Sequence, residues 1–192
     1  MSIAIPDWNS KGVLPPIDPI DPRSAERSPY AVSLIDFVLR FGTSLARLSI
    51  LDGLLSFRSA LHNAGLIQGF QWADGSFLEN IELLESRPPN DIDVVTFYHI
   101  PNNHTQTTLL QAFPRLFNRI YTKQDYHVDA YFVGLNSGAP ESLISRSAYW
   151  YSLWSHRRNE QWKGYLHIEL SQTHDDAARE NLNRMMAQGG TS

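Results

Sequence analysis

Residues 74–98 read DGSFLENIELLESRPPNDIDVVTFY, and this stretch decides how the chain folds. Its last part, residues 91–97, is rich in β-branched and aromatic side chains, which predicts a β-strand. Because side chains alternate across a strand, Asp91 and Asp93 should share one face while Ile92 and Val94 enter the core. Two carboxylates this close repel each other unless a cation lies between them. Such oxygen ligands on a rigid strand suit a Mg²⁺ ion bound to a substrate phosphate.

A Gly-Ser turn precedes this strand. Residues 66–72 (LIQGFQW) form another strand-like run, and Gly75 and Ser76 follow it where a helix over 77–84 can begin. Glycine lets the backbone approach a ligand closely, and free N–H groups at the start of a helix attract an anion such as phosphate. The turn is therefore predicted to face the phosphates of a substrate.

A third carboxylate lies in a later strand-like run. Residues 126–135 read YHVDAYFVGL, and alternation places His127, Asp129 and Tyr131 on one face of the predicted strand. Asp129 is therefore a candidate partner for the Asp-Ile-Asp pair. His127 is a candidate neighbour of the same site, although a strand histidine bonded to the backbone is the commoner case.

The order of these pieces resembles the nucleotidyltransferase superfamily typified by DNA polymerase beta. That pattern is a strand, a Gly-Ser turn, a helix, Asp-x-Asp on a second strand and a third carboxylate on a later strand. The resemblance covers residues 66–133. One departure is the gap before Asp91, which is longer than the superfamily usually shows because the segment 85–90 with its two prolines forces a loop.

The resemblance implies transfer of a nucleoside monophosphate from a nucleoside triphosphate (NTP) to an acceptor hydroxyl. It implies that Asp91 and Asp93 hold Mg²⁺ (or Mn²⁺) ions bridging the nucleotide phosphates. Asp129 would complete a second metal site and help to activate the acceptor, so all three aspartates are the expected catalytic and metal-ligating residues. The acceptor stays open between tRNA, a protein side chain and a small molecule. Small bacterial members include toxins and defence proteins, which suggests such a role by analogy alone.

A basic cluster follows later in the chain, at Arg157, Arg158 and Lys163. It is dense for an acidic protein, and it could neutralise the outer phosphates of a bound nucleotide. The alternative is that these side chains only solvate the surface. With Gly75 and Ser76, they are the predicted nucleotide-binding residues.

Composition limits the other possibilities. The chain has 192 residues, of which 42% are hydrophobic, so one globular domain is expected. A formal net charge of −4 gives no general attraction to nucleic acid or to an anionic membrane. There is no cysteine for disulfides or thiolate metal sites, no apolar run long enough to cross a bilayer and no signal-peptide pattern. A soluble cytoplasmic protein without membrane contact is the expectation.

The predicted fold class is α/β (α+β), a small mixed sheet with flanking helices. A proline-rich stretch over residues 1–30 should form an extended arm, and residues 31–192 should form the single nucleotidyltransferase-like domain. Apolar periodicity and capping residues predict the remaining elements. They are helices over 31–40, 45–63, 105–118, 141–156 and 173–187, and a last strand over 165–170.

The helix predicted over 141–156 carries four aromatic residues, Tyr149, Trp150, Tyr151 and Trp154. Such a cluster usually builds core or an oligomer interface, so a homo-oligomer through this helix is one expectation; base stacking is another. A competing hypothesis for the whole chain is a catalytically silent binding or regulatory module. In that case the aromatic helix and the proline-rich arm would be the surfaces that bind a partner.

Other catalytic patterns are missing from the sequence. Ser76 is not part of a Gly-x-Ser-x-Gly elbow, which removes the anchor of a hydrolase triad. The seven histidines show no zinc-binding spacing, and there is no Walker loop or dinucleotide-binding fingerprint.

Overall fold

The structure is a computed structural model that describes residues 4–18 and 20–189. Within these residues the strands are β1 (Tyr30–Val32), β2 (Gly69–Asp74), β3 (Ile92–Tyr98), β4 (Val128–Gly134) and β5 (Leu166–Glu169). The α-helices are α1 (Leu34–Phe41), α2 (Leu45–Asn63), α3 (Ile81–Glu85), α4 (Gln106–Ala112), α5 (Arg119–Tyr126), α6 (Pro140–Trp154) and α7 (Asp175–Gly189). None of the helices in this part of the chain is long and apolar enough to cross a membrane.

The strands form one mixed five-stranded sheet within the described residues, in the order β1-β5-β2-β3-β4. β1 pairs with β5 and β3 pairs with β4 in parallel, whereas β2 is antiparallel to both of its neighbours. Helices flank this sheet, which confirms the predicted fold class of a small mixed sheet with flanking helices.

The register of the three strands β2, β3 and β4 positions the site. Asp74 is the Cα partner of Asp93, and Asp93 is in turn the Cα partner of Asp129. Directly opposite residues on neighbouring strands project from the same face of a sheet. The sheet therefore carries a row of three aspartates, one on each strand.

Different helices cover the two faces of the sheet. On the face away from the aspartates, Arg58 of α2 donates a 2.7 Å hydrogen bond to the Gln71 side chain. On the aspartate face, the ring of Trp150 in α6 packs 4.7 Å from that of Tyr131, centroid to centroid. Tyr131 lies two residues after Asp129, so α6 closes part of the face that carries the aspartates.

Several elements lie where the sequence predicts them. α2 has the predicted bounds of residues 45–63, and the Ser44 side chain caps it by accepting from the backbone N–H of Arg47. β3, β5, α6 and α7 begin and end within two residues of their predicted bounds. These elements carry strong local signals of periodicity, capping and alternation.

The described residues before β1, 4–18 and 20–29, form an arm without a helix or strand, apart from an isolated bridge between Ile17 and Arg27. Val13 and Leu14 of this arm are buried, and the Trp8 indole donates a 2.7 Å hydrogen bond to the Leu78 carbonyl. Packing against the domain thus holds the arm. The first three residues and Pro19 lie outside the described residues, as do residues 190–192.

Other predicted elements are wrong in extent or type. β1 occupies the start of the helix predicted over 31–40, and β2 runs to Asp74 instead of ending at residue 72. The helix predicted over 77–84 is replaced by a 3₁₀ turn and the short α3. The helix predicted over 105–118 ends at Ala112.

α5 occupies residues for which no helix was predicted. His127 forms its C-cap in a left-handed conformation, with φ of 55°, and β4 begins only at Val128. The prediction that His127 shares a strand face with Asp129 is therefore wrong, because the chain turns at this residue instead of extending.

Candidate functional site

The Gly-Ser turn directly follows β2 and lies against Asp93. Gly75 has φ of 90° and ψ of −173°, a backbone conformation that residues other than glycine rarely adopt. A Cβ at this position would also collide with Oδ2 of Asp93. Ser76 then begins the 3₁₀ turn that leads to α3. Glycine is thus required here both for backbone conformation and for close approach to the carboxylate.

Asp93 is the central aspartate of the row, and its carboxylate has no hydrogen bond or ion pair with any described residue. Burial raises the pKa of Asp93 to about 6, and the negative charges of Asp91 and Asp129 raise it further. Mutual repulsion of this kind is what a bound cation would relieve. Asp93 is therefore the carboxylate of the row that is free to bind one.

The other two aspartates predicted for the site are paired with cations of α5. Arg119 donates from Nε to Asp129 Oδ1 at 2.6 Å and from Nη2 to Oδ2 at 2.7 Å, a bidentate pair. Lys123 Nζ lies 2.6 Å from Asp91 Oδ2 and 3.4 Å from Asp129 Oδ2. Burial opposes ionisation of Asp129, but Arg119 and Lys123 outweigh it and lower the pKa of this carboxyl.

Lys163 lies on the opposite side of Asp93, among buried acids. Its Nζ is 2.9 Å from Asp74 Oδ1 and 3.1 Å from Glu79 Oε1. Burial raises the pKa of the Asp74 carboxyl to about 7, although Lys163 opposes the rise. Burial also opposes the charge on Lys163, but the two acids outweigh it and raise the pKa of the ammonium.

The two arginines of the basic cluster differ in their partners. Arg157 Nε lies 3.1 Å from Glu79 Oε2, and its Nη2 lies 2.7 Å from Glu85 Oε1. Arg158 is exposed and pairs with no carboxylate among the described residues. The cation that remains available to an outside anion is therefore Arg158.

A cleft of about 650 Å³ connects these features. Its lining includes six of the eight predicted site residues: Gly75, Ser76, Asp93, Arg157, Arg158 and Lys163. Asp91 and Asp129 do not line it, although Asp129 lies beside Asp93 in the sheet. Within residues 4–18 and 20–189, no three His, Cys, Asp or Glu side chains form a group that could hold a metal ion.

Comparison with known proteins places the chain in a family. The sequence model of a family of unknown function (DUF6932) matches residues 6–169, most of the chain. The chain belongs to this family. No curated protein and no solved structure matches it.

The matched range of the family contains the Gly-Ser turn, the aspartate row, α5 and the basic cluster. It ends at residue 169, the last residue of β5, so α7 lies beyond it. The family description assigns no activity.

Sequence reasoning missed four charged residues of this site: Asp74, Glu79, Arg119 and Lys123. Asp74 directly precedes Gly75 and lies on the same strand face as Phe70 and Trp72, which extending the predicted strand by two residues would have shown. Arg119 and Lys123 are four residues apart, the spacing of neighbours on one helix face. A helix preceding the strand of Asp129 would have brought both cations towards it.

Proposed function

We propose that this protein is a metal-dependent nucleotidyltransferase that moves a nucleoside monophosphate from an NTP to an acceptor hydroxyl. The observation that supports it most is the single cleft shared by the Gly75-Ser76 turn, Asp93 and Arg158. The resemblance of the Gly-Ser and Asp-x-Asp pattern to nucleotidyltransferases gives the same assignment from sequence.

The charges in the cleft support a ligand that carries both phosphates and a cation. Most charged side chains of its lining neutralise one another: Arg87 with Glu85, Arg157 with Glu79 and Glu85, and Lys163 with Glu79. Arg158 and Asp93 are left without a partner among the described residues. A metal-bound nucleotide offers a phosphate to Arg158 and a divalent cation to Asp93.

The transfer is an in-line displacement at the α-phosphorus. The acceptor oxygen forms a bond to this phosphorus while the bond from phosphorus to the oxygen bridging to the β-phosphate breaks. Pyrophosphate leaves with that electron pair, and the hydroxyl proton passes to solvent water. Arg158 and the backbone of the Gly75-Ser76 turn bind the phosphates, so this chain's main contribution is orientation and charge.

The donor set fits a hard divalent cation such as Mg²⁺ or Mn²⁺ at Asp93. The Asp93 carboxylate is unpaired, and Asp91, two residues earlier, carries further oxygens, one of which (Oδ2) lies 2.6 Å from Lys123 Nζ. Asp129 is the neighbour of Asp93 on β4, and both of its carboxylate oxygens accept hydrogen bonds from Arg119. When bound, the cation supplies charge neutralisation on the nucleotide phosphates.

The experiment that tests this proposal is labelling. The protein is incubated with each α-³²P-labelled NTP, Mg²⁺ and cell extract, and the labelled product is treated with nuclease or protease to identify the acceptor class. Wild type should transfer label, and Asp93→Asn should not. Asp176→Asn, an exposed aspartate at the start of α7, is the matched control and should label like wild type. Absence of label with every NTP contradicts the proposal.

A second candidate function is a catalytically silent module with this fold. The observation that favours it is the neutralisation of Asp91 and Asp129 by Lys123 and Arg119, because the folded protein then needs no metal to offset their repulsion. Such a module would bind a partner without consuming NTP. It predicts no labelling and no change in thermal stability with any NTP and Mg²⁺.

A further inference from the structure

We infer that Lys123 takes the place of a second metal ion, so that this site binds a single divalent cation, at Asp93. The inference rests on the proposed function, since it concerns how the same carboxylates are neutralised during nucleotidyl transfer. It makes Lys123 a positioning residue that acts through Asp91 and Asp129.

The ammonium group of Lys123 occupies the position of a bridging cation. Its Nζ contacts Oδ2 of Asp91 at 2.6 Å and Oδ2 of Asp129 at 3.4 Å, so one positive charge joins two carboxylates. Arg119, on the same helix as Lys123, binds both oxygens of Asp129. A metal ion between Asp91 and Asp129 would have to displace both side chains.

The helix that carries these cations is packed firmly in place. The Tyr126 ring of α5 packs 5.8 Å from Phe57 of α2, and a Cβ on Gly53 would collide with the Tyr126 carbonyl. Thr122, between the two cations in sequence, is fully buried. Close contact with α2 therefore fixes the backbone from which Lys123 reaches the carboxylates.

The local charge balance leaves room for one divalent cation. Asp91, Asp93 and Asp129 carry three negative charges, and Arg119 and Lys123 supply two positive ones. The net charge of these five side chains is therefore −1, and a single divalent cation at Asp93 changes it to +1. A second one would add two further positive charges beside two fixed cations, which repel it at these distances.

The test is a titration with Mn²⁺ alone, followed by electron paramagnetic resonance of the free ion. Wild type should bind one Mn²⁺ per chain. Lys123→Met should bind Mn²⁺ roughly tenfold more tightly or take up a second ion, because a positive charge has been removed beside the carboxylates. Arg115→Met is the matched control: it removes a cation that pairs with Asp125 outside the site, and its Mn²⁺ binding should equal wild type.

Each outcome decides the inference separately from the proposed function. Two Mn²⁺ ions in wild type, no Mn²⁺ in wild type, or unchanged Mn²⁺ affinity and stoichiometry in Lys123→Met would overturn it, even where NTP labelling succeeds. The Lys123 side chain is 52% exposed, so its replacement should leave folding intact. Lys123→Gln provides a second variant with the same expected result if the methionine variant proves unstable.

Discussion

Lys163 Nζ lies 2.9 Å from Asp74 Oδ1, and both side chains are almost completely buried. The same ammonium reaches Glu79 at 3.1 Å. The cation that sequence analysis assigned to an incoming phosphate is therefore already committed to two acids of the protein. A buried charge of this kind is costly to remove because the buried carboxylates that it contacts then lose a neutralising cation.

Lys163→Met should lower the free energy of unfolding by about 3–5 kcal/mol, the usual cost of breaking a buried ion pair from one side. Urea denaturation at neutral pH measures this change. Lys11→Met is the control, since Lys11 is an exposed lysine of the arm. Equal stability of the two variants would mean that the Asp74–Lys163–Glu79 contacts contribute little to folding.

Arg158→Ala should weaken NTP binding without changing the urea midpoint. A hydrogen bond to a charged group is worth about 1.5–3 kcal/mol, which corresponds to roughly a ten- to hundredfold rise in Kd. Titration with a fluorescent NTP analogue and Mg²⁺ measures the affinity. Arg23→Ala, in the exposed arm, is the control variant. An unchanged Kd in Arg158→Ala would mean that this arginine does not contact the nucleotide and only solvates the surface.

Sequence patterns predicted the elements whose signals are local. Ser44 and Gly65 mark the two ends of α2, and alternation in residues 91–97 marks β3. The three aspartates were found because each lies in an apolar run, where a carboxylate stands out. Local pattern was sufficient for these features because burial on one face leaves a regular trace in the sequence.

The missed features depend on contacts between distant segments. α5 carries exposed Ile120 and Tyr121 but buries Thr122, so hydrophobic periodicity does not reveal it. The partner of Lys163 is Asp74, 89 residues earlier, and no local rule joins the two. For the same reason the basic cluster could be located but its members could not be separated into paired and free cations.

Gly75→Ala should destabilise the protein more than Gly138→Ala does. Both glycines have positive φ, so backbone strain of about 1–3 kcal/mol applies to each. A Cβ on Gly138 meets nothing within 4 Å, whereas one on Gly75 collides with the Asp93 carboxylate. Overpacking of this kind adds about 1–3 kcal/mol. Urea denaturation of both variants should show that difference, and equal losses would mean that Asp93 moves aside without cost.

Asp93→Asn should stabilise the metal-free protein above about pH 6 and have little effect at pH 4. Folding raises the pKa of Asp93 from 3.8 to about 6, so the native state holds a proton that the unfolded chain releases between these values. Wild-type stability therefore falls as pH rises through this window, by up to about 3 kcal/mol, since one pKa unit is 1.36 kcal/mol. Asparagine cannot ionise and should remove this loss.

Urea denaturation from pH 4 to pH 8 gives the unfolding free energy of wild type and of Asp93→Asn. The difference between the two isolates Asp93, because the contributions of the other titrating groups largely cancel. A strong loss of stability in the variant at pH 8 would mean that the aspartate is structural.

Mg²⁺ together with the right NTP should raise the melting temperature of wild type but not that of Asp93→Asn. A ligand that binds only the native state stabilises it by mass action, by roughly 2.7 kcal/mol at a hundred times its Kd. Asp93→Asn keeps the shape of the site but removes the unpaired carboxylate on which the cation depends, so its gain should vanish. Thermal scans of both proteins with each NTP, with and without Mg²⁺, measure this. If wild type gains nothing from any NTP, the row of aspartates and its α5 cations form a structural ion network, and the silent module becomes the better description.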